Sequence, residues 1–212
     1  MKTEVIPAGA PDAIEGAVRV LRAGGLVAFP TDTVYGVGAL AFDEDVVQSI
    51  YAVKERPDDK AIPILLGDAI DLPKVALGLT EIARRLAEHF WPGPLTIVVR
   101  KQPALPEAVS ATDTVGVRVP DHAVARQLLR SAGPMAVTSA NLSGRTSPRT
   151  ADEVVQQLSG RINLIIDGGT TPGGVPSTVV DCTGSEPFIL REGPITLEKI
   201  RQISNWSPMS KL

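Results

Sequence analysis

Three short segments gather the residue types that handle phosphate and carboxylate groups: PTDTVYG at Pro30–Gly36, KERP at Lys54–Pro57 and TSANLSG at Thr138–Gly144. The first and third each follow a short apolar run. Both therefore read as loops at the ends of buried strands, where hydroxyls and open backbone meet a ligand on a rigid support. Lys54, Arg56 and Lys60 place three cations near the threonine-rich loop. Lysine offers a compact charge and arginine a planar fork, and a triphosphate or a developing pyrophosphate needs such neutralisation. Cations at a helix end also complement the helix dipole, so Lys54 and Arg56 alone do not decide. Ser139, Asn141 and Ser143 alternate along a tight turn that either meets a ligand or bonds its own backbone. Two further segments have the same character, GVRVP at Gly116–Pro120 and PSTVVD at Pro176–Asp181. Arg118 lies between two valines and points away from both, toward solvent or a cleft. Arg191 ends an apolar run just before Glu192, its alternative partner.

Several chemistries are absent from the sequence. There is no G-x-x-x-x-G-K-[ST] loop, no dinucleotide fingerprint and no G-x-S-x-G elbow. Of the two histidines, His89 reads as a partly buried structural residue beside Phe90 and Trp91, and His122 as decoration of a helix start. Neither forms an H-E-x-x-H pair, and Cys182 stands alone, so no zinc site and no disulfide framework is expected. Cys182 follows a Val-Val-Asp run and reads as a buried, inert thiol. An enzyme built on these residues works more by positioning and electrostatics than by a covalent nucleophile.

The elements that must hold these loops follow from periodicity. The chain has 212 residues, 43% of them apolar but only 4% aromatic, with a formal net charge of -3. A large core of Val, Leu, Ile and Ala is therefore expected, with no overall field for nucleic acid. Helical spacing marks Pro11–Gly24, a helix capped by Asp43 that Arg56-Pro57 stops, Thr80–Phe90, a helix from Asp121 through Leu129, Thr150–Leu158 with a Thr150/Glu153 capping box, and Thr196–Ile203. Strands are predicted at Leu26–Pro30, Ile62–Leu66, Leu95–Arg100, Val115–Val119, Met135–Thr138, Leu164–Asp167, Ser177–Val180 and Phe188–Arg191. Pro63 suits an edge or a strand start. The late strands lack intervening helices, so part of the sheet should be antiparallel. The expectation is one α/β domain with a mixed sheet over residues 1–203, followed by a polar tail at 204–212. No secretory signal and no bilayer-length apolar run is read, which makes a cytoplasmic protein the expectation.

Taken together, PTDTVYG, the K-x-R of Lys54–Arg56, GVRVP, the S-x-N of Ser139–Asn141, PSTVVD and the REG of Arg191–Gly193 resemble the YrdC/TsaC family, from about Leu21 to Ile200. The resemblance implies a single YrdC-like domain, a twisted α/β sheet with a large concave cavity, in the short form of the family. It also implies a reaction: L-threonine, bicarbonate and ATP give L-threonylcarbamoyladenylate and pyrophosphate. That product feeds a separate transferase complex that completes threonylcarbamoyladenosine on tRNA; direct tRNA binding is compatible with this but not required. Residue by residue, the resemblance assigns Thr31, Thr33, Tyr35, Arg118, Thr138 and Ser177 to the threonine side. Lys54, Arg56, Lys60, Ser139, Asn141, Thr178 and Arg191 fall to the nucleotide, with Lys54, Arg56, Ser139 and Asn141 at the reacting centre. Magnesium would travel on the ATP phosphates, with no metal ligand from the protein. Long-form members carry a histidine a few residues after the K-x-R loop; Leu65 stands about there in this chain. The competing expectation is an RNA-binding module of the same fold, opposed by the net charge and the scarcity of aromatics for base stacking.

Overall fold

The computed structural model describes residues 2–58 and 60–204. Ten strands form one mixed sheet: β1 (Glu4–Pro7), β2 (Val27–Phe29), β3 (Gly36–Leu40), β4 (Ile64–Leu65), β5 (Leu95–Arg100), β6 (Thr114–Arg118), β7 (Met135–Ser139), β8 (Leu164–Asp167), β9 (Thr178–Asp181) and β10 (Phe188–Arg191). Their spatial order is β1-β8-β2-β3-β7-β4-β6-β5-β9-β10. The helices are α1 (Ala13–Arg22), α2 (Glu44–Lys54), α3 (Glu81–Phe90), α4 (Ala123–Ala132), α5 (Ala151–Leu158) and α6 (Leu197–Ser204), with a 3-10 turn at Ala69–Lys74. Pairing is antiparallel between β9 and β10, as expected of the late strands, and parallel between β5 and β9. No helix among the described residues is long and apolar enough to cross a membrane.

Strand alternation sorts side chains onto two faces. On β2, β7 and β8 the residues Val27, Phe29, Met135, Val137, Leu164 and Ile166 face one core with Ala17, Leu21, Ala125 and Leu128 of α1 and α4. Their neighbours Ala28, Ala136 and Ile165 face the larger opposite core. That larger core also takes Ile97 and Val99 of β5, Val115 and Val117 of β6, and Val180 of β9. The residues between them, Thr96, Val98, Gly116, Arg118 and Val179, point to the other side. There they line a cavity, beyond the part of that face that α1 and α4 cover.

Some expectations needed correction. Asp121 does not cap α4; the N-cap is His122, without a side-chain cap bond, and the helix runs on to Ala132. His89 is exposed, its ring meeting Phe90 edge to face. The Pro63 strand is no edge: β4 keeps only two residues, lies between β6 and β7, and Pro63 directly precedes it. Pro63 brings no N–H to the ladder, but its carbonyl accepts from Val137 N at 2.9 Å. Strands β1 and β3 went unread in the sequence. The Thr150 cap is present, accepting from Glu153 N at 3.3 Å. The Glu153 carboxylate, however, accepts from Arg149 N at 2.6 Å, one residue before the expected partner. The polar tail lies outside the described residues except for Ser204, which ends α6.

Candidate active site

The cavity of about 320 Å³ is floored by β5, β6 and β9 and walled by the loop after β2, the end of β7, the turn after α2 and the edge strand β10. Gly116 keeps the floor deep, because a Cβ there would lie 3.0 Å from Thr96 and 3.4 Å from Pro63. Among the described residues three arginines reach its lining, Arg56, Arg118 and Arg191, and no Asp or Glu does.

The loop after β2 is organised by Thr31. Its hydroxyl donates to Val34 O at 2.7 Å and accepts from the backbone N–H groups of Thr33 and Val34. The Thr31 and Thr33 hydroxyls also share a 3.0 Å bond. Thr33 Oγ1 in turn accepts from Arg118 Nη1 at 3.0 Å. Tyr35 is fully buried; its hydroxyl donates to Gly169 O at 2.8 Å and accepts from Gly168 N at 3.1 Å. Burial pushes that phenol up to about 12. Tyr35 thus fixes the loop against the end of β8, and its hydroxyl does not face the cavity.

Arg118 is 5% exposed. Its Nε donates to Gly93 O at 2.9 Å, Nη1 to Thr33 and Nη2 to Asp32. Three of the five guanidinium protons are engaged, and one remains on each terminal nitrogen, matching in number a bidentate carboxylate. Burial pulls its pKa below the ordinary value, and Asp32 opposes that pull.

The K-x-R residues diverge. Glu55 between them closes α2 in the left-handed conformation at φ 53°, so Lys54 ends the helix facing inward and Arg56 turns to the cavity. Lys54 is 1% exposed and absent from the lining; its ammonium donates to Ser139 O at 2.5 Å and to Asn141 O. Burial, helped by Arg56, pulls its pKa down to about 7. Arg56 donates to Lys60 O at 3.2 Å and Ala61 O at 3.0 Å, which sets its fork. Lys60 supplies that carbonyl while its side chain stays exposed outside the lining.

Thr138 and Ser139 line the cavity, and among the described residues neither hydroxyl has a protein partner. Asn141 lies behind them, its Nδ2 donating to Leu142 O at 2.8 Å and Arg145 O at 2.9 Å. Both partners are carbonyls, so the amide orientation is fixed and Oδ1 is left buried without a donor. Ser177 Oγ shares a 2.8 Å bond with Thr96 and accepts from Arg191, which also holds Ser177 O at 2.8 Å. Burial, with Arg56 nearby, pulls Arg191 below its ordinary value. Thr178 is fully buried and closes a two-way bond with the Ile195 backbone at 2.9 Å, away from the cavity. Gly193 permits this seam, since a Cβ there would sit 2.4 Å from Thr178 N. Leu65 lines the wall and pairs in register with Arg118. The Cys182 thiol is buried and pushed up to about 12.

The structure thus brings Thr31, Thr33, Tyr35, Arg56, Arg118, Thr138, Ser139, Ser177 and Arg191 onto one cavity, with the Thr31 and Tyr35 hydroxyls engaged by protein partners. Lys54, Asn141 and Thr178 lie outside the lining and act as supports through the groups described. Sequence reasoning missed Asp32, Thr96 and Gly116. The polar Thr96 within LTIVVR and the glycine within TVGVR were the available signals, both at inward positions of otherwise apolar strands.

The protein-family model for Sua5/YciO/YrdC, described as telomere recombination, matches residues 19–193. The threonylcarbamoyl-AMP synthase of Pyrococcus abyssi is 44% identical over 189 residues, 88% of this chain and 56% of that protein. The putative threonylcarbamoyl-AMP synthase of Mycobacterium tuberculosis H37Rv is 40% identical over 191 residues, covering 90% of this chain and 88% of that one. The crystal structure of P. abyssi Sua5 complexed with L-threonine superposes with a TM-score of 0.90 at 41% identity, over 96% of this chain and 61% of that chain. This chain therefore spans only a little over half the length of the Pyrococcus relative.

Proposed function

The chain belongs to the Sua5/YciO/YrdC family, and on that premise we propose that it is a threonylcarbamoyl-AMP synthase. Its substrates are L-threonine, bicarbonate and ATP, and its products L-threonylcarbamoyladenylate and pyrophosphate. The observation that carries the proposal is a cavity lined by Arg56, Arg118 and Arg191 with no carboxylate among the described residues of its lining. Such a site favours anions, and both ATP and an amino-acid carboxylate are anions.

In this mechanism Arg118 holds the threonine carboxylate, and Thr33 contacts the same substrate. The threonine amine attacks bicarbonate, water leaves, and a carbamate forms. A carbamate oxygen then attacks the α-phosphorus of ATP, the bond to the bridging β-phosphate oxygen breaks, and pyrophosphate departs. Such a transfer depends on in-line placement and on neutralising the charge that grows on the phosphates. Arg56 and Arg191 supply that charge, and Ser139 and Thr138 offer hydroxyls to the phosphate oxygens. Lining groups of this kind bind anions and not cations, which fits magnesium arriving with the triphosphate and ligated by phosphate oxygens and water. The adenylate then passes to a tRNA threonylcarbamoyl transferase complex in the cytoplasm.

Pyrophosphate release is expected to require both threonine and bicarbonate and to proceed without tRNA. Label from bicarbonate should appear in the adenylate. Equal release without threonine would sink the synthase reading, and salt-sensitive tRNA binding without any adenylate would point to an RNA-binding module. Arg56→Ala should lower kcat by about tenfold to a hundredfold, less than loss of an isolated oxyanion donor because Arg191 stays in place. Its effect on the threonine KM should be small. A pure threonine defect in steady-state kinetics would reverse the assignment.

A further inference from the structure

We propose that Asp32, which no substrate assignment includes, is the positioning residue that holds the Arg118 fork ready for the amino-acid carboxylate. The proposal rests on the assignment of Arg118 to that carboxylate. Arg118 lines the cavity and Asp32 does not, so the carboxylate of Asp32 grips the guanidinium from outside the ligand space. The two side chains are 6% and 11% exposed, which leaves the pair little screened.

Geometry decides which partner holds which. Asp32 has a short side chain on a clamped loop. Thr31 ties the turn through four hydrogen bonds, and Gly174 N donates to Thr33 O at 2.7 Å. Gly173 packs so tightly on that loop that a Cβ would lie 2.6 Å from Asp32 O and 2.9 Å from Thr33 Cα. Arg118 instead crosses from β6 on a long, rotamer-rich side chain whose ordering costs entropy. Its other two anchors, Gly93 O and Thr33 Oγ1, are neutral acceptors. A charge-assisted bond is roughly twice as strong as a neutral one, so Asp32 is the dominant tether.

The tether also stands apart from other interactions. Asp32 Oδ1 meets Arg118, while Oδ2 is buried without a partner among the described residues. The neighbouring His122 imidazole is pulled below its ordinary value by burial, against the charges of Asp32 and Asp121. A neutral imidazole leaves Arg118 as the cationic partner of this carboxylate. Altering Asp32 therefore acts chiefly through Arg118.

The test compares Asp32→Asn and Asp32→Ala with the wild-type chain. Asn keeps an acceptor in place and removes the charge; Ala removes both. The threonine KM should rise by about threefold to tenfold for Asn and by more than about tenfold for Ala, with kcat changed much less, the signature of lost ground-state positioning. In an Arg118→Met background, Asp32→Asn should add nothing to the threonine KM. Side-chain NMR gives a readout independent of turnover: Arg118 Nη signals, assigned by their loss in Arg118→Lys, should show slowed rotation in wild type and lose it in Asp32→Ala. An unchanged threonine KM, additive effects in the double variant, or freely rotating wild-type Arg118 would overturn the proposal. Wild-type protein that releases no threonine-dependent pyrophosphate would instead overturn the synthase reading, with the NMR comparison still deciding whether Asp32 holds Arg118.

Discussion

Arg118→Ala is expected to raise the threonine KM by roughly thirtyfold to a few thousandfold, with a much smaller change in kcat. Removing one partner of a buried, hydrogen-bonded ion pair costs about 2–5 kcal/mol, and every 1.4 kcal/mol is about tenfold. The site meets the conditions for a value in that range: Arg118 is 5% exposed and, among the described residues, the cavity lining offers no carboxylate that would compete with a substrate anion. Part of the loss will come from Asp32, whose carboxylate is left buried without its partner. Arg118→Lys should therefore recover only part of the affinity: it restores charge to Asp32 but not the fork that leaves one proton free on each terminal nitrogen. Steady-state kinetics on folded variants, checked by thermal unfolding, reads this out. An unchanged threonine dependence would show that Arg118 only ties β6 to the loop after β2.

That Arg118 faces away from the core was legible in the sequence; the choice between solvent and a cleft was not, and came only with the family resemblance. A charged residue between two valines on a strand must face away from the core, and the structure gives Val117 and Val119 to the core and Arg118 to the cavity. The strand order was not legible, because pairing partners such as β4 with β6 and β7 lie far apart in the chain. Strand β3 was missed since GVGAL carries only one β-branched residue. It is glycine-rich because β7 presses close: a Cβ on Gly38 would sit 2.5 Å from Ala136 O.

The K-x-R motif shows another limit. Spacing suggests two cations on one ligand. A residue in the left-handed conformation between them sends one inward and one outward, and nothing in the letters announces a positive φ at a glutamate. Likewise, Thr178 and Ser177 are neighbours in the same motif. Strand alternation gives one hydroxyl to the Ile195 backbone and the other to Thr96 and Arg191.

Lys54 gives the other large expected effect. Lys54→Met keeps most of the side chain's volume but removes the donors to the Ser139 and Asn141 carbonyls. The Ser139 carbonyl keeps the Asn141 N–H at 2.9 Å, whereas the Asn141 carbonyl loses its donor. One carbonyl left buried without a donor costs about 1–3 kcal/mol, and stability should fall by that much. The same carbonyls set the course of the loop that presents the Ser139 hydroxyl to the cavity, and a displacement of about 1 Å at a reacting centre can lower kcat about a hundredfold. The pH dependence separates this buried strut from a solvent-facing phosphate ligand. The Lys54 pKa is lowered to about 7 in the fold, against about 10.4 in the unfolded chain. Between those values the unfolded chain holds a proton that the folded one has released, so this group makes stability rise with pH, by up to about 1.4 kcal/mol per unit. Below about 7 both states are protonated and its contribution is flat. Cys182 and Tyr35, each pushed up to about 12 by burial, act in the opposite direction once their unfolded forms ionise above about pH 8.5 and 10. The informative quantity is therefore wild type minus Lys54→Met, in which those two cancel. Urea unfolding at pH 6, 7.5 and 9 should show that difference growing only above about 7. Parallel profiles together with undiminished turnover would mean that the Lys54 ammonium is hydrated and the loop holds its course without it.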